Sequence, residues 1–133
     1  MTDLNSRMNH SKRILELINQ LESRQSNLDL INQRISTSTV GWQIEHSLLT
    51  INKIIEALKK SDPKAYKWKF SFPRLVLFIM NKIPRGRAAS PKIVQPKSII
   101  NQETLNNHFI QTMENSKLLD TLNKSSFFYH PYF

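Results

Sequence analysis

From Leu4 onward, apolar side chains recur at near-helical spacing, through Met8, Ile14, Leu15, Ile18 and Leu21, with no proline or glycine to interrupt them. This pattern predicts an amphipathic helix over residues 3 to about 26, one that needs a partner for its apolar face. Ser36, Thr37, Ser38 and Thr39 then offer N-cap oxygens ahead of a second helix over residues 40 to 60, which ends before Ser61-Asp62-Pro63. Gly41 in its first turn is a mild weakness. A proline-punctuated stretch follows, with Pro63, Pro73, Pro84, Pro91 and Pro96. Inside it, Pro73 suits the first turn of a short buried helix over residues 74 to 82, and IPRGRAASPK reads as an irregular surface loop. A last helix, residues 101 to 123, carries Leu105, Phe109, Met113, Leu119 and Leu122, with Glu103 suited to its positive N-terminal dipole.

The second helix is apolar on two sides. At about 100° per residue, Ile44, Leu48, Ile51, Ile55 and Leu58 form one narrow stripe, while Trp42, His46 and Leu49 project almost opposite to it. A helix of that kind wants neighbours on both sides, as in a bundle. Three long helices, one short one and no convincing strand make the expected fold all-α. The 133 residues suit a single domain, with residues 61–98 as a Pro-rich basic connection.

The net charge of +9 is concentrated. Residues 59–97 hold eleven basic side chains against Asp62 alone, whereas the segments on either side sum to minus one. Two readings of that middle stretch stand side by side. Its lysines, mixed with Tyr66, Trp68, Phe70 and Phe72, suit phosphates and stacked bases or an anionic membrane surface. Alternatively, a short extended run turns Tyr66, Trp68 and Phe70 inward and leaves Lys67 and Lys69 in water. Arg85 and Arg87 in IPRGR are candidate anion-binding residues; loop arginines are also commonly just solvated.

Composition removes several chemistries. The absence of cysteine excludes disulfide scaffolds and thiolate nucleophiles and points to a reducing, cytoplasmic setting. Two glycines, Gly41 and Gly86, are too few for a P-loop or a dinucleotide fingerprint, and no G-x-S-x-G elbow occurs. The longest apolar run, residues 75 to 80, is far short of the roughly 20 residues needed to cross a bilayer. His46, beside Trp42 and Leu49, reads either as a metal ligand or as a hydrogen-bonded boundary histidine. His10, His108 and His130 show no H-x-x-x-H spacing. Glu45 adjoins His46 but points about 100° away, so a regular helix cannot aim both at one ion.

STVGWQIEHSLLTINKIIEALKKSDPKAYKWKF, IPRGRAASPK and FFYHPYF, in that order and spacing, resemble a bacterial branch of the DinB-like superfamily, the damage-inducible and YfiT-type four-helix bundles. The resemblance covers most of residues 38–133. It implies an up-and-down four-helix bundle in which a divalent metal, nickel or zinc, is held by one histidine of the second helix and an H-x-x-x-H pair on the last. Some such proteins activate a low-molecular-weight thiol for transferase chemistry, and metal-dependent hydrolysis is the other implied activity. His46, in W-x-x-x-H, matches the first ligand. Trp42 and Leu49 would wall the pocket, His130 of the H-P-x-F turn would lie at its mouth, and Arg85 and Arg87 would steer an anionic small-molecule substrate. In that pattern the final helix follows H-P-x-F, and the chain stops at Phe133. The expectation is therefore a bundle short of its C-terminal helix, metal-free by itself unless a second chain contributes, with an exposed groove prone to self-association. Two readings from other classes accompany it: a basic nucleic-acid-binding module using residues 59–97, and a non-catalytic interaction remnant.

Overall fold

The computed structural model describes residues 2–80, 89–97 and 99–129, the side chains of residues 2–10 and of Phe78 excepted. All regular structure among them is helical: α1 (Thr2–Glu22), α2 (Val40–Lys60), α3 (Phe72–Met80) and α4 (Gln102–Lys117), joined through single 3-10 turns. None of these helices is long and apolar enough to cross a membrane.

Local chemistry sets the helix starts. The Thr39 hydroxyl accepts from the Trp42 amide at 3.0 Å and caps α2. Asn101 does the same for α4, accepting from the Thr104 amide at 2.8 Å. The expected 101–123 helix is shorter than its apolar pattern, because after Lys117 the chain tightens into a 3-10 turn, Leu118–Thr121.

α4 is the central element, packing on α1 and on α2. Ile18 of α1, Ile44 and Leu48 of α2, and Leu105 and Phe109 of α4 form the buried core, with Ile14, Leu21, Leu28, Val40, Ile51, Ile100 and Met113 packed around it. The stripe read from α2 is thus the core face, with Ile55 buried further along. Buried α4 residues continue through Thr112 and Ser116, both fully enclosed. Each hydroxyl donates to the carbonyl one turn back, Thr112 to His108 at 2.7 Å and Ser116 to Thr112 at 2.8 Å, which satisfies the donor inside the core.

The helix directions correct one expectation. Glu45 and Asn52 of α2 pair with His108 and Asn115 of α4, 63 positions on in both cases. A constant offset means that α2 and α4 run parallel. Ser11 of α1 meets Asp120 just past α4 at 3.0 Å, while Ile18, further along α1, joins Leu105 and Phe109 of the first half of α4 in the core, so α1 is antiparallel to α4. The order is one helix up and two down rather than up-and-down, because residues 61–101 carry the chain back to the end where α2 began; short loops would force antiparallel neighbours. At that shared end Gly41 lies against Leu28 and Ile100.

None of the described α3 side chains belongs to the core cluster. Of the expected 74–82 helix, residues 81 and 82 lie outside the described residues, and the part described is not buried: Phe72, Leu75, Ile79 and Met80 are exposed. Nor do the aromatics of residues 66–70 turn inward. Tyr66 is half exposed, and Trp68 and Phe70 are 70% and 66% exposed. An extended stretch hides one face only where another part of the chain lies against it; Phe127 and Tyr129 lie against Tyr66, and the described residues leave Trp68 and Phe70 uncovered.

Candidate functional site

The turn Lys92–Val94 brings a buried Val94 against α2. Its carbonyl lies 2.8 Å from His46 Nδ1, and the Trp42 ring stacks on the imidazole at 5.0 Å between centroids and 16° between planes. A carbonyl can only accept, so Nδ1 carries the proton and Nε2 presents a lone pair. Ser90 Oγ stands 3.5 Å from Nε2. This half-buried ring is therefore fixed in tautomer, by a backbone contact, and in plane, by an aromatic one. The same arrangement serves a boundary histidine and a metal-ligating one, since ligating imidazoles commonly give their second N–H to a carbonyl.

One donor is what the described residues bring to that point. Among them no group of three or more histidine, cysteine, aspartate or glutamate side chains converges on a common position. Tight zinc or nickel sites use at least three protein ligands, so His46 fits as one donor, and the described residues do not complete the set. His130, Arg85 and Arg87 lie outside the described residues.

An adjacent face of α2 holds a second constellation. His108 Nδ1 lies 2.7 and 2.8 Å from the two oxygens of Glu45, a buried carboxylate. Asn52 donates to Thr112 Oγ1 at 2.8 Å and accepts from Asn115 Nδ2 at 2.8 Å. These groups line the seam between α2 and α4, and beside them opens a groove of about 380 Å³ bordered by Leu49, Asn52, Lys53, Glu56, Lys60, His108 and Asn115. Leu49 thus faces the groove, whereas Trp42 and His46 are not among its lining residues. Lys53 and Lys60 hold Glu56 between them at 2.8 and 2.6 Å. Hydrogen bonds from Lys53 first and then Lys60 lower the Glu56 pKa from 4.5 to about 2, so the groove rim keeps a fixed carboxylate across the physiological range.

The sequence does carry one signal for the seam. Glu45 and Asn52 sit seven residues apart on the edge of the α2 core stripe, and His108 and Asn115 repeat that spacing on α4. Polar groups bordering an apolar face need partners, and matched spacing is how two parallel helices supply them.

Phe127 and Tyr129 lie against the segment that follows the C-terminal end of α2. Phe127 donates its amide to Ser61 Oγ at 3.1 Å, and its ring meets Tyr66 edge-on at 5.1 Å. The Tyr129 hydroxyl accepts from the Lys67 amide at 2.9 Å and donates to the Lys67 carbonyl at 3.2 Å. Residues 127–129 therefore dock on the segment that follows α2.

No protein-family model, curated protein or solved structure matches the chain.

Proposed function

We propose that the chain is a DinB-like helical domain in which His46 is the imidazole donor to a divalent metal, nickel or zinc, whose remaining donors come from a partner chain. The observation that carries this reading is the clamp on His46: the Val94 carbonyl takes the Nδ1 proton and the Trp42 ring fixes the plane, leaving Nε2 as the coordinating atom. Ser90 Oγ, 3.5 Å from Nε2, adds a hydroxyl beside that position. Metal-dependent hydrolysis or thiol transfer would belong to the completed donor set, since one imidazole cannot hold zinc or nickel tightly.

A titration of the 133-residue chain with Ni²⁺, followed through imidazole NMR resonances, tests the assignment. Weak, rapidly exchanging binding should broaden the His46 ring signals before those of His108, whose Nδ1 is occupied by Glu45. His46→Gln should remove that selective response while leaving the helical circular dichroism in place. Uniform broadening of all histidines, or a His46 ring indifferent to nickel, overturns the proposal.

The exposed Trp68 and Phe70, which alternate with Lys67 and Lys69, favour a second reading, a basic binding surface within residues 59–97. Nucleic acid is one candidate occupant, with affinity that falls steeply as salt rises.

A further inference from the structure

α3 is an apolar helix with little to pack against. Phe72, Leu75 and Ile79 fall within about 60° of one another around its axis, and they are 66%, 43% and 76% exposed. Just before the helix, Trp68 and Phe70 stand with ring centroids 6.4 Å apart and open to solvent. The exposed Lys64, Lys67 and Lys69 flank these rings. The rest of the basic excess of residues 59–97 surrounds the helix in sequence. The base of the segment is anchored, since Tyr66 packs on Phe127 and Tyr129 and the Lys67 backbone is bonded at both its amide and its carbonyl to the Tyr129 hydroxyl.

We propose that residues 64–80 are a peripheral membrane-binding element that takes an anionic phospholipid surface, with Trp68, Phe70 and the Phe72–Leu75–Ile79 face entering the headgroup boundary. Charge complementarity chooses the occupant. A second copy of the chain would bring the same excess of lysine and arginine against itself, and like charges oppose that contact. Single-stranded nucleic acid uses cations and aromatic rings but has no use for an aliphatic face such as Leu75, Ile79 and Met80. A bilayer of anionic lipid uses all three: cations meet headgroups, tryptophan sits at the interface, and aliphatic side chains reach the acyl boundary. This element shares no residue with the His46 contacts and holds or fails independently of any metal.

Vesicles of phosphatidylcholine alone and of phosphatidylcholine with 30% phosphatidylserine provide the test, by co-sedimentation and by quenching with brominated lipid. The intact chain should partition at least tenfold more strongly into the anionic vesicles, with tryptophan emission shifted to the blue and quenched. Trp68→Phe should abolish the quenching, because the other tryptophan, Trp42, is half-buried and stacked on His46. Ile79→Asp and the pair Lys67→Glu with Lys69→Glu should each lower partitioning severalfold. All of these side chains are exposed, so the helical circular dichroism should be unchanged. The proposal is overturned by vesicle partitioning no stronger than that of Ile79→Asp, by binding to a single-stranded oligonucleotide without vesicle binding, or by concentration-dependent self-association that protects Trp68 in place of vesicle binding.

Discussion

Gly41 occupies the first turn of α2, where alanine would ordinarily be the better helix former by up to about 1 kcal/mol. Its surroundings reverse that preference. A Cβ there would stand 3.2 Å from the Leu28 carbonyl oxygen and 3.3 Å from Leu28 Cβ. The oxygen cannot retreat, because it accepts the Gly41 amide at 2.8 Å. Gly41→Ala is therefore expected to destabilise the fold by about 1 kcal/mol, read as a fall of several degrees in thermal midpoint; a rise would mean that the loop before α2 gives way. What reads as a weak helix residue in the sequence is a point of close approach between the end of the α1 connection and the start of α2. Nothing in the local spacing announces it, since the crowding atoms belong to residues 13 and 59 positions away. His46 is a contrasting case at the same scale. Its place on the second face of α2 is legible from helical periodicity alone, whereas its partner, the Val94 carbonyl, is a backbone group with no side-chain signature.

Between elements, the α2–α4 seam mixes apolar and polar contacts. Asn52 joins Thr112 and Asn115, and Thr112 is fully buried, so its oxygen has no access to water if Asn52 is removed. Asn52→Ala should cost about 1–3 kcal/mol, most of it the desolvation of the abandoned groups. Pairing Asn52→Leu with Thr112→Val should then cost less than the sum of the two single changes, by at least 0.5 kcal/mol on the scale typical of residues in contact; strict additivity in denaturant unfolding would refute the link. The core stripe of α2 was readable because all its members lie on one helix, at a period fixed by helix geometry. The aromatic run at residues 66–70 was not, because alternation tells which side chains share a face and not whether another element covers it. The parallel course of α2 and α4 was hidden for a related reason: direction depends on where a long connection ends.

For the molecule as a whole, the decisive contact outside the core is the return of the tail to the segment after α2. Tyr129 holds Lys67 through both backbone groups, and Phe127 holds Ser61. Tyr129→Phe keeps the ring packing on Tyr66 and Phe127 but removes the two hydroxyl bonds. It is expected to cost about 1 kcal/mol and, more tellingly, to speed amide hydrogen exchange at Lys67 while leaving exchange at Leu48 and Phe109 unchanged. Equal acceleration at all three would show instead that the tail and core open as one unit. Only three long helices carry the core here, and an all-α bundle was legible to that extent. The distribution of charge was legible too, with the excess lying in the connection rather than on the core helices.

The parallel seam also bears on how the chain reaches this arrangement. Each bond that registers α4 against α2 joins residues about 60 positions apart, so the intervening connection must be closed into a loop before the seam repays anything. α1 and α2 are held together chiefly through α4, which packs on both, so no early helix pair stands in for that closure. The chain should therefore fold more slowly than a bundle of equal length whose helices meet only their sequence neighbours.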